Sequence, residues 1–310
     1  MRRVFRNAEG ELRLVWIWLI GIVTYYLINS GIPWLFGLMI QALPTIEYSA
    51  VPRWANMGLL PAVQFLLLVL TLVVFIRLHR RFLCKPLRLH LRPLLVAGGA
   101  MLAGIAAAIL LLSAMGKLQI VTVGSDWVGG YGEYLLLTAI FAADSLGTAL
   151  AGAIYRYAFL FGSARTRLGR RRALLLYLLL YALIIVLGRS GTLIRTINNV
   201  LMVALLLLAF DVGGAGACCG VQLGASLGIG VIFGWENSIF VLLRAIQPSS
   251  ALIAPNTFDL LTGGGMGSWE SLWLTGLLLL SIAVALLFDA GVRAKLRVLL
   301  KRVADARMGV

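Results

Sequence analysis

Long apolar runs alternate with short polar segments along this chain. Most of the runs approach the ~20 residues a helix needs to cross a bilayer core. They predict spanning helices at 14–28, 57–76, 94–115, 134–161, 173–187, 194–210, 219–233 and 271–288. The fourth run is long enough to cross with a tilt. The glycines of DVGGAGACCG end the sixth run and separate it from the seventh. A Gly-rich polar loop is expected at 116–132. Two shorter apolar stretches, 34–43 and 239–254, read as interfacial or re-entrant. No polar stretch is long enough to hide a separate soluble domain. The expectation is a single integral membrane domain over 1–310: an all-α, polytopic helical bundle of about eight transmembrane helices.

Composition agrees. Of 310 residues, 61% are hydrophobic and 13% charged, against ~25% charged in soluble domains. Disorder is excluded too, since it requires low hydrophobicity. The net charge of +15 would suggest nucleic acid in a soluble protein, but here the basic residues sit in short clusters between apolar runs. That is the pattern by which cytoplasmic loops retain Lys and Arg, and no nucleic-acid partner is expected. With the N-terminus inside, 21 basic residues fall on inner segments: the start of the chain, 77–92, 165–172 and the tail. Five fall on outer ones: Arg53, Lys117, Arg189, Arg195 and Arg244. The bias predicts a multi-pass cell-membrane protein, in the bacterial inner membrane, with both termini cytoplasmic and an even number of spans. The basic inner loops would attract anionic lipid. Cys84, Cys218 and Cys219 form no disulfide framework.

Ionisable residues inside spans are costly and therefore candidates for function. The fourth span carries Asp144 and Arg156; Asp211 lies at the inner end of the sixth, and Glu133, Glu236 and Glu270 lie at outer boundaries. Asp144 and Arg156 are twelve residues apart, about 18 Å along a helix axis, so they do not pair. The two histidines, His79 and His90, both fall in a basic inner segment. There is no HExxH, which excludes a zincin-type site, and no histidine within a span, which excludes a Ser–His dyad. Asp144 and Asp211 sit at different depths and make a poor aspartyl pair. No metal and no cofactor are expected.

The segment AGAIYRYAFLF resembles the first motif of the CPBP family, the CAAX proteases and bacteriocin-processing enzymes. That motif has two glutamates, then an aromatic and an arginine. Tyr155 and Arg156 match the last two, and Ala151 and Gly152 stand where the glutamates would be. YLLLYALII is similar to the second motif, with Tyr181 at its aromatic and Ile185 in place of its histidine. GVQLGASLGIGVIFG is similar to the helix that carries the family's last histidine and asparagine, with Gly224 and Gly228 there instead. In LLTGGGMGSWESLW, Glu270 matches a glutamate after a Gly-rich turn. The resemblance covers nearly the whole chain. It implies an intramembrane endopeptidase whose glutamates and histidines activate a water. A general base must be titratable and within reach of that water. Ala151, Gly152, Ile185, Gly224 and Gly228 provide none.

Two readings follow. In the first, the chain is a proteolytically inactive CPBP-like protein that binds or scaffolds a membrane-protein or peptide partner in the old cavity. In the second, it is an active protease or transporter with a non-standard polar site around Asp144, Tyr155 and Arg156. Residues expected to line the cavity are Asp144, Tyr155, Arg156, Tyr181 and Gln222, with Arg156 close to the Gly224–Gly228 helix.

Overall fold

The apolar runs fold as helices, because a backbone shielded from water must satisfy its own hydrogen bonds within each segment. The computed structural model describes residues 12–32, 34, 53–83, 89–123, 131–187, 192–232, 241–245, 269 and 271–288. In chain order these form α1 (Leu14–Tyr26), α2 (Arg53–Leu83), α3 (Leu91–Ala114), β1 (Leu118–Val123), α4 (Tyr131–Gly152), α5 (Gly162–Leu168), α6 (Arg170–Leu187), α7 (Leu193–Ala225), β2 (Val241–Ala245) and α8 (Leu272–Phe288). Three stretches wind as the wider π-helix: Leu27–Gly31, Ala153–Phe161 and Ser226–Ile232. Among the described residues, two helices, Leu91–Ala114 and Leu193–Ile229, are long and apolar enough to cross a membrane. The chain divides into two compact units, Met1–Leu89 with Trp127–Tyr177, and His90–Asp126 with Leu178–Val310.

The first unit is built on aromatic contacts that fix the direction of each helix. Trp18 Nε1 donates to Leu160 O at 3.0 Å and to Ser163 Oγ at 3.1 Å. Gly21 packs on Phe159, and Tyr25 stacks on Tyr155 with centroids 4.1 Å apart and planes 6° apart. Rising numbers in α1 therefore meet falling numbers in the π-helical stretch, so the two run antiparallel. α2 runs the other way. Leu68 meets Gly147, Phe75 meets Tyr155 and Phe159 at 4.8 and 5.5 Å, and Phe82 meets Phe159 at 6.3 Å. After α5 the chain turns at Gly169 (φ +79°). It returns along α6, where Tyr177 meets Tyr157, Phe161 and Trp18. Edge-to-face and offset pairs of this kind contribute ~0.5–1.5 kcal/mol each beyond their buried area.

In the second unit, α7 presents a glycine every fourth residue to α3. A Cβ at Gly216 would lie 2.5 Å from His90 O, and one at Gly220 would overlap Leu94 O. One at Gly224 would lie 2.5 Å from Gly98 O and 3.0 Å from Met101 Cβ. At Gly228 it would lie 2.7 Å from Ile105 Cδ1. Numbers rise together in the two helices, so they run parallel, and small residues let the backbones approach closely. α8 packs on both: Gly104 of α3 faces Leu277, and Asn198 of α7 reaches the start of α8. Asn198 is fully buried. Its Nδ2 donates to Trp269 O at 2.9 Å and Ser271 O at 3.0 Å, and its Oδ1 accepts from Thr275 Oγ1 at 2.7 Å.

Several expectations are corrected. Within 116–132 the chain forms β1 rather than a loop. Within 239–254 residues Val241–Ala245 form β2. The two pair antiparallel, Leu118 opposite Ala245 and Val123 opposite Val241, with a bulge between Ile120 and Thr122. Among the described residues the fold is thus helical with one two-stranded ribbon. The run at 134–161 is no uniform α-helix, since it widens from Ala153 onward. The basic segment 165–172 is helical on both sides of Gly169. His79, expected in a loop, is buried in the last turns of α2. The sixth and seventh runs have no loop between them. They meet at a kink at Gly214 (φ 69°, ψ −161°), after which the helix resumes at once instead of at residue 219. The stretch 35–43 and the tail lie outside the described residues.

Candidate functional site

The π-helical stretch places Tyr155 in the aromatic core of the first unit, with Arg156 next to it in the chain. Tyr155 is buried between Tyr25 of α1 and Phe75 of α2. Arg156 is half-buried, and its carbonyl accepts a hydrogen bond from Tyr177 Oη at 3.1 Å. Four residues on, Leu160 O accepts from Trp18 Nε1 and from Ser163 Oγ, the latter at 2.8 Å. The π-helical turn displaces carbonyls from the regular α-helical ladder, and side-chain donors from α1, α5 and α6 meet two of them. Wide turns of this kind occur frequently at functional sites.

Of the positions where the CPBP resemblance would place catalytic residues, Ala151 and Gly152 are buried in the last turn of α4, just before this wide segment. They belong to the first unit with Tyr155 and Arg156. Tyr181, Ile185, Gln222, Gly224 and Gly228 belong to the second. Ile185 is buried in α6, and Tyr181, one turn before it, is half-buried. Gly224 and Gly228 were expected to leave room for the Arg156 guanidinium. The space beside them is taken by α3: Gly98 O, Met101 and Ile105 fill it. Gln222 lies on the same stretch of α7, and its Oε1 is buried with no hydrogen-bond partner among the described residues. Asp144 lies in α4, but its side chain is outside the described residues. So are those of Glu133, Glu236 and Glu270, and the turn at 263–265.

The reading of Gly224 and Gly228 as bare replacements missed their place in a series. Gly216, Gly220, Gly224 and Gly228 recur at spacings of four, a signal for close helix contact visible in the residues. The polar cluster of Asn198, Ser271 and Thr275 was also missed. Nothing in NNVLM or ESLWLTG shows that one asparagine caps two carbonyls more than seventy residues away. Cys218 and Cys219 are both fully buried. Among the described residues, no three His, Cys, Asp or Glu side chains come together in a way that could hold a metal ion.

No protein-family model, curated protein or solved structure matches the chain.

Proposed function

We propose that this chain is a CPBP-like integral membrane protein of eight spans, with both termini cytoplasmic, whose catalytic positions are empty. It acts as a binding or scaffold protein for a membrane-protein or peptide partner. One observation carries the inactive reading. At Gly224, where the family motif has a catalytic residue, a Cβ would already lie 2.5 Å from the Gly98 carbonyl oxygen. That neighbour is backbone, so it cannot move aside as a flexible side chain would. An imidazole does not fit there unless α3 and α7 separate. The position is used for helix packing.

The helix directions support the eight-span path. α2 and α4 run parallel, as do α3 and the end of α7, and α1 opposes α2, in agreement with spans that alternate in the order of the chain. Leu193–Ile229 is 37 residues, about 55 Å if straight, too long for one crossing of a ~30 Å core. The kink at Gly214 divides α7 and its π-helical extension into 21 residues before it and 18 after it, each close to one crossing.

The alternative, a non-standard active site, draws on the π-helical turn that carries Tyr155 and Arg156. Site-specific photo-cross-linking from Tyr25, which stacks on Tyr155 beside Arg156, tests the partner reading in intact membranes. A discrete protein or peptide adduct that weakens in Arg156→Leu, at unchanged abundance, is expected. Lipid adducts alone, from both chains, would sink the partner reading.

A further inference from the structure

We infer that the arginine-rich end of the first unit is a binding surface for anionic phospholipid headgroups, rather than only a topological signal; this rests on the membrane reading above. The aromatic register gathers that end. Trp18, Phe82 and Phe159 to Ser163 lie at one level, and arginines lie near it or beyond it on each of these helices. Arg13 precedes Trp18 by five residues; Arg77, Arg80 and Arg81 come within a turn and a half before Phe82; Arg165 and Arg167 follow Ser163. After the Gly169 turn come Arg170, Arg171 and Arg172, within two turns of Tyr177. Arg165, Arg167 and Arg170 have interactions of their own. Arg80, Arg81, Arg171 and Arg172 are exposed, and they form the surface.

Three features favour a lipid phosphate. The described cations at this end are all arginine, whose planar fork meets phosphate oxygens in pairs, whereas lysine acts as a point charge. Arg170 to Arg172 occupy the first turn of α6, which holds no acidic residue. The positive end of the helix dipole opposes cations there, so a bound anion relieves the repulsion. Exposed apolar side chains adjoin the patch, Ile76 beside Arg77 and Leu175 beyond Arg172, so acyl chains would lie beneath the same headgroup.

The test uses the full chain in nanodiscs of phosphatidylcholine with a minor fraction of spin-labelled phosphatidylglycerol or spin-labelled phosphatidylcholine. The labelled anionic lipid is expected to associate more strongly, by about fivefold or more. The preference should fall to near unity in Arg80→Gln/Arg81→Gln/Arg171→Gln/Arg172→Gln. The corresponding quadruple Lys chain keeps the charge that directs insertion, and should retain an intermediate preference. Equal association of the two lipids with the unaltered chain, or a Gln chain that keeps the full preference, overturns the inference. So does competition by millimolar inorganic phosphate, which would mark a free-phosphate site. Resistance to alkaline carbonate extraction checks membrane embedding separately, so a failed lipid preference in a resistant chain counts against the surface alone.

Discussion

Two kinds of glycine in α7 are required for different reasons, and substitution should separate them. Gly214 has open space around its Cβ position, but φ 69° and ψ −161° lie in a region essentially reserved for glycine. Gly214→Ala is expected to cost ~1–3 kcal/mol through backbone strain. Gly224 has ordinary helical geometry, and its constraint is the carbonyl of Gly98. Gly224→Ala should cost a similar ~1–3 kcal/mol through overpacking, and Gly224→Leu should cost more. Thermal unfolding in mild detergent reads both. At Gly228 the nearest contact is a side chain, so Ile105→Ala should relieve a bulky residue placed there. If Gly224→Leu unfolds at the same temperature as the unaltered chain, the close α3–α7 contact is wrong. The residues that resemble the CPBP motifs were legible as letters in the sequence, and the four-residue glycine spacing was legible too. What letters do not carry is which neighbour closes on each glycine, because that depends on a helix more than 100 residues earlier in the chain.

At the scale of elements, the wide turn over Ala153–Phe161 is held by donors from outside it. Tyr177→Phe removes the hydrogen bond to Arg156 O while keeping the ring contacts, and should lower stability by ~0.5–1.5 kcal/mol. Tyr181→Phe on the same helix serves as a control, and an equal loss there would deny the Tyr177 bond its role. Asn198→Ala strips the donors from two carbonyls and an acceptor from Thr275. It should cost ~1–3 kcal/mol and loosen the start of α8, visible as faster amide exchange at Leu272–Phe288. The helices themselves were readable from apolar runs, since burial in an apolar medium leaves few other solutions. The π-helical stretches were not, because they differ from α-helix only in which carbonyl each N–H reaches. The ribbon was hidden differently. LQIVTV has the β-branched content of a strand, but it sits among glycines and pairs with VLLRA over a hundred residues away, so no local pattern joins them.

For the whole molecule, the basic bias and the helix directions support one path through the membrane. Reporter fusions at Lys117 and Arg172 should report opposite sides, since an odd number of crossings separates them; signals from the same side would refute the path. The proposal that the chain keeps a CPBP-like framework without protease chemistry is tested in proteoliposomes. Purified full-length chain, reconstituted with CAAX-type and signal-like peptides, is assayed for cleavage and for bound zinc. The expected result is no cleavage above empty vesicles and no stoichiometric zinc. Peptide cleavage that Arg156→Ala abolishes, or zinc retained at one ion per chain, would contradict it.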